Sequence, residues 1–217
     1  MTTGASEYDN AMEHLTIAFV TVASTLALTG PARAQQPIDP VDFRPFVDGR
    51  HWIVRQPLTY RIGVSNDSVT VPPGFVTDFA SIPQALQSII RQNGLYILPA
   101  VVHDYLYWKQ TCTRAQSDQI LQFAMTENKV RDFHRIAIYD AVKAAGSFAW
   151  DDNARERARG LLRIIPSDRL KIDANTLWPE YRLQLAQQGV VDAPDTPIPA
   201  GFCARGDMSV SDALGRP

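Results

Sequence analysis

Between Ala100 and Trp108 the chain reads AVVHDYLYW, so His103 and Asp104 stand in a run that is otherwise apolar or aromatic. Such a run folds only where it is buried, and a carboxylate taken out of water needs a cation, a metal or several donors. Any fold for this chain must therefore bring partners to this segment. On a helix, His103 and Tyr107 are four residues apart and share a face, whereas Asp104 is turned away by about 100°. Asp104 is thus not the group that orients His103. A carboxylate that fixes the imidazole must come from another segment.

Asp118 is the candidate for that role. The spacing predicts helices over about 98–110, 113–128 and 131–149, joined by short connections that favour antiparallel neighbours. On the second of these, Asp118 shares a stripe with Leu121 and Met125 and points where the helix packs; the alternative is a local pair with Arg114. Asp104 is then left for a second task, and a hard cation bound through oxygen suits it. Calcium takes six to eight oxygens from carboxylates, carbonyls and water. The turn Thr77-Asp78-Phe79-Ala80 offers an Asp78 side-chain oxygen and a Phe79 carbonyl. The opposing reading makes Asp78 an Asx-turn former and His103–Asp104 a buried structural pair.

Ahead of the helices, alternating apolar residues at 51–54, 58–62 and 68–71, broken by Pro57 and Asn66-Asp67, predict a small antiparallel sheet. Ser81 with Gln84 is a capping-box start for a short helix to about Arg91. After Asp151 a further basic amphipathic helix is expected, then a helical stretch over Trp178–Gly189. The fold class is therefore α+β, a small antiparallel sheet followed by a mainly antiparallel helical unit. The divisions are 1–34 as a signal peptide, 35–150 as the motif-bearing domain, 151–190 as a helical extension and 191–217 as a flexible tail.

The signal peptide rests on the apolar segment from Leu15 to Leu28 and on Ala32-Arg33-Ala34, a small-residue site with cleavage before Gln35. The n-region departs from pattern in carrying Glu13 and no Lys or Arg. The apolar run is shorter than the roughly 20 residues of a spanning helix, so no transmembrane segment is expected in an exported, periplasmic or extracellular mature chain. Cys112 and Cys203 are the only cysteines; they either bridge or remain two thiols. A formal charge of −2 and a pI of about 6.1 argue against a nucleic-acid partner, since the one basic cluster, Arg155 to Arg163, is interleaved with Glu156 and apolar residues.

Two resemblances follow from these motifs. PPGFVTDFASIP with AVVHDYLY, then TRAQSDQILQFAM and IYDAVKAAG, resembles a family of small phage and bacterial domains of unknown function over roughly Val54 to Trp150. It implies a common fold and brings no chemistry. His103-Asp104-x-x-Tyr107 on a helix is similar to the His-Asp-x-x-Tyr helix of secretory phospholipase A(2). That resemblance implies His103 as the base, Asp104 as a calcium ligand with Asp78 and Phe79, Asp118 as the orienting carboxylate and Tyr107 as its supporting hydroxyl. The Gly- and Cys-rich calcium loop and the disulfide beside the catalytic His of the animal enzymes are absent from this sequence.

Other chemistries lack their residues. His51, His103 and His134 are too widely separated for a zinc hydrolase, and there is no Gly-x-Ser-x-Gly elbow or phosphate-binding glycine loop. The expectation is a calcium-dependent hydrolase acting on a phospholipid or other ester. The alternative is a non-enzymatic binding or assembly module of phage ancestry in which the His-Asp pair is structural.

Overall fold

The computed structural model describes residues 1, 41–79 and 94–215. The expected signal peptide and the Ser81-capped helix lie outside the described residues. From Val41 onward the described chain belongs to one compact unit, 35–217. Its strands are β1 (Phe43–Pro45), β2 (Trp52–Val54), β3 (Leu58–Arg61), β4 (Ser68–Val71) and β5 (Val76–Thr77). Its helices are α1 (Ile97–Lys109), α2 (Arg114–Glu127), α3 (Asp132–Ala158), α4 (Trp178–Gln187), α5 (Ala200–Arg205) and α6 (Val210–Leu214). The class is α+β.

The strands form two small antiparallel sheets where one was expected. β3 and β4 make a hairpin in register Leu58↔Val71 to Arg61↔Ser68. β2 instead lies between β1 and β5, with Arg44↔Ile53 and Ile53↔Val76. The break between β2 and β3 has a backbone cause. Val54 donates its N–H to Phe75 and accepts from Gly74, so β2 is committed to the segment after β4 rather than to β3. This pairing brings Thr77 beside α1.

α1 is buried on every side, from Pro99 to Trp108. Val101, Val102, Tyr105 and Trp108 are poor helix formers, so propensity alone would not hold it. Burial of each large apolar side chain contributes roughly 1.5–3 kcal/mol, which exceeds the propensity deficit several-fold. α2 has a local start signal: Thr113 accepts from the Gln116 N–H while the Gln116 side chain accepts from Thr113, a complete capping box. At its far end Glu127 accepts from the Tyr60 hydroxyl at 2.7 Å and the Gly63 N–H at 3.0 Å, which pins the hairpin to the helical layer.

Where two helices were expected to either side of Asp151, α3 is continuous for 27 residues, about 40 Å. Neither Gly nor Pro interrupts 147–158, and Arg155 pairs with Asp152 one turn away, so nothing breaks the helix there. The expected helix at 178–189 is α4, with Pro179 in its first turn.

The expected loose tail is corrected. Residues 191–199 form neither helix nor strand but bond α1 through Asp192 and Asp195, and α5 and α6 follow, with Phe202 fully buried and Ala213 and Leu214 covered. Cys112 and Cys203 form a disulfide that closes 91 residues and ties α5 to the capping loop of α2. Composition alone misread this stretch because its order comes from contacts distant in sequence. Among the described residues, no helix is long and apolar enough to cross a membrane.

Candidate functional site

The antiparallel packing of α1 on α2 brings His103 against Asp118. The imidazole Nε2 lies 3.1 Å from Asp118 Oδ1, and both residues are buried. The Tyr107 hydroxyl donates to the same Oδ1 at 2.5 Å, and the Arg114 guanidinium reaches Oδ2 at 3.2 Å. Asp118 thus contacts both partners the sequence offered, His103 and Arg114. His103 and Tyr107 also stack, with ring centres 4.0 Å apart.

The hydrogen-bond roles follow from this set. Asp118 accepts, so Nε2 carries the imidazole proton and Nδ1 is left with a lone pair. Nδ1 is buried and has no hydrogen-bond partner. Burial holds the imidazole below its usual value of 6.5, an effect the Asp118 contact only partly offsets, so the ring is neutral at neutral pH. Burial and then Asp118 push the Tyr107 hydroxyl well up, which keeps it a donor. The Tyr96 hydroxyl, two turns before His103 on the same stripe, is also buried without a partner.

Asp104 faces elsewhere, as its position on the helix requires. Its Oδ2 accepts from the Thr77 hydroxyl at 2.5 Å, and Thr77 Oγ1 accepts from the Phe79 N–H at 3.2 Å. Phe79 adopts a left-handed backbone, φ 51°, which shapes the turn that Asp104 fastens. Asp104 and then Asp78 both raise the Tyr96 hydroxyl, behind the larger effect of its burial, so the two carboxylates share one neighbourhood. Their oxygens are the right kind for a hard cation. Among the described residues, no cluster of three or more His, Cys, Asp or Glu side chains converges.

Gly146 was missed as a site residue. It lies in the middle of α3, where glycine costs about 1 kcal/mol relative to alanine. A Cβ there would run into the Tyr107 hydroxyl, so its absence lets that hydroxyl reach Asp118. The signal was a lone glycine inside the helical IYDAVKAAG motif. Trp150, one turn on, closes the seam edge-on to Tyr107 at 5.1 Å. The other histidines stand apart: His51 bonds Asp48 at 2.9 Å, and His134 is half-buried at the start of α3. A groove of about 520 Å³ lies between Pro57, Pro72 and Asp195, and its lining includes neither His103 nor Asp118.

Fold and seam together define an α+β domain whose helical layer encloses a His–Asp–Tyr network. Residues 52–142, from β2 into α3, match the family described as "Protein of unknown function (DUF1353)". The match is the resemblance that the motifs led one to expect, and the matched stretch contains Thr77, Asp78, Phe79, His103, Asp104, Tyr107 and Asp118. Neither the curated proteins nor the solved structures gave a match.

Proposed function

We propose that this chain is an exported hydrolase that cleaves an ester, with phospholipid acyl esters as the first substrate class to test, and that His103 is its base. One observation carries the reading: a neutral, buried imidazole held through Nε2 by Asp118 while Nδ1 keeps a free lone pair. In this mechanism Nδ1 takes a proton from water as its oxygen attacks the ester carbonyl. The carbon–oxygen bond to the alcohol then breaks, and the imidazolium returns the proton to the departing alkoxide. Asp118 stabilises the transient imidazolium, and Tyr107 and Arg114 hold Asp118 in place.

Calcium is the finer part of the proposal. Asp104, Asp78 and the Phe79 carbonyl are the oxygens that would hold it, and a bound ion would polarise the ester carbonyl. Complete burial of His103 favours the other reading, a phage-derived binding or assembly module in which the network only sets helix register.

The test is fatty-acid release from mixed phosphatidylcholine and phosphatidylglycerol vesicles, with calcium and with chelator. The expected result is release by the native chain, loss in His103→Asn with the thermal midpoint retained, and a raised calcium requirement in Asp104→Asn. No release by the native chain, or equal release by His103→Asn, overturns the hydrolase reading and leaves the module ahead.

A further inference from the structure

The outward face of α3 is apolar where a solvated helix would be charged. Phe133 and Phe148 are each 76% exposed and Ile136 is 52% exposed. At 100° per residue, Phe133, Ala137, Ala144 and Phe148 fall in one stripe opposite the buried Ile138, Val142 and Gly146. Burying this much aromatic surface is favourable, and a pair of exposed phenylalanines on one helix face marks an interaction surface.

The order of residues along the stripe says what covers it. Phe133 and Phe148 are equidistant from a point between Asp140 and Ala141, and so are Ala137 and Ala144. A second α3 laid antiparallel across that point sets Phe133 against Phe148 and Ala137 against Ala144, twice over. The alanines allow the two backbones to approach to about 8 Å. The charges at the helix ends are complementary in the same arrangement. Exposed Lys129 and Arg131 precede the stripe, and exposed Asp151 and Asp152 follow it, so each basic end meets an acidic end. At the centre the two Asp140 side chains come near each other, each one turn from the Lys143 of its own helix.

We infer that the outward face of α3 docks a second copy of this chain, as an antiparallel helix pair centred between Asp140 and Ala141. The interaction is independent of the hydrolase reading. The stripe spans about 22 Å, so the interface is at the small end of specific interfaces and the dimer is a modest one.

Sedimentation equilibrium on the full chain, up to about 100 μM, tests it. The native chain is expected to dimerise, and Phe148→Arg and Phe133→Asp are each expected to be monomeric with unchanged thermal midpoints, since both positions are exposed. The register gives a second readout. Mixing Phe148→Arg with Phe133→Asp sets Arg against Asp at one end and leaves the native Phe pair at the other, so the mixture is expected to regain a heterodimer. Ala144→Arg, which blocks close approach, is a further monomeric variant. A native chain that is monomeric throughout overturns the proposal, as does a dimer that survives all three substitutions or a mixture that stays monomeric. A monomer that co-sediments with phosphatidylglycerol vesicles assigns the face to a lipid surface and overturns it equally.

Discussion

From one side of α1, Tyr105, Trp108 and Lys109 reach Asp192 and Asp195; from the opposite side, His103 and Tyr107 reach Asp118. On the first side both carboxylates are used throughout. Asp192 accepts the Trp108 indole N–H and the N–H groups of Arg163 and Ile164, each at 2.7 Å, and Asp195 accepts from Tyr105 and Lys109. That network fastens the 191–199 segment to the core. On the second side Asp118 is equally well supplied, yet His103 Nδ1 is buried with nothing to bond. An unsatisfied buried polar atom costs about 1–3 kcal/mol. The first side has an unpartnered atom as well, Arg163 Nε beside Trp108, but that atom is a donor on a cation; His103 Nδ1 is a lone pair on a neutral ring, the kind of atom the proposed base requires.

The comparison is sharpened first by cutting the C-terminal fastening outright. Cys112→Ser with Cys203→Ser releases a 91-residue loop, and a loss of about 4 kcal/mol is expected from urea unfolding. Any ester hydrolysis is expected to persist at temperatures where the variant is folded. Asp118→Ala strands Nε2, the Tyr107 hydroxyl and Arg114, and about 3 kcal/mol of stability is expected to go, together with all turnover. Asp192→Ala is the matching cut on the other side. Water reaches that half-buried site, so about 2 kcal/mol is expected to be lost with turnover kept. Equal effects of the two on turnover would break the distinction.

Gly146→Ala comes next. Helix propensity alone would make it stabilising by about 1 kcal/mol. The clash with the Tyr107 hydroxyl is expected to reverse the sign, with a net loss of about 1 kcal/mol and a fall in kcat.

The smallest effect is on pH. His103 has a folded pKa below its unfolded value of 6.5, so the unfolded chain binds the extra proton. Its contribution to stability is complete above about 6.5 and falls with acidification below that, by at most about 1.4 kcal/mol per pH unit, until the folded form also protonates. The difference in urea midpoint between pH 7.5 and 5.5, about one pH unit either side of 6.5, is expected to shrink in His103→Gln. An unchanged difference would show that the imidazole is not held neutral by burial.

What the sequence made legible was local or periodic. The α1 stripe separated His103 from Asp104 by rotation alone, the spacing placed a helix over 113–128 where α2 lies, and inward-facing Asp118 followed from the Leu121 and Met125 spacing. What it hid depends on distant contacts. The commitment of β2 to Gly74 and Phe75, the docking of α5 through Cys203, and the hydroxyl of Thr77 on Asp104 all join residues that no window of sequence contains. Gly146 lies between: its place in the helix was visible, but its reason is Tyr107, some forty residues away.

His103 Nδ1 is the deciding atom. Nitrogen NMR of the chain labelled at histidine, with His103→Gln to assign the signal, reads the protonation of each ring nitrogen at neutral pH. The expected spectrum has a proton on Nε2 and an unprotonated, unbonded Nδ1. A proton on Nδ1, as the other tautomer or as imidazolium, would contradict the account and make the seam a fastener like its neighbour.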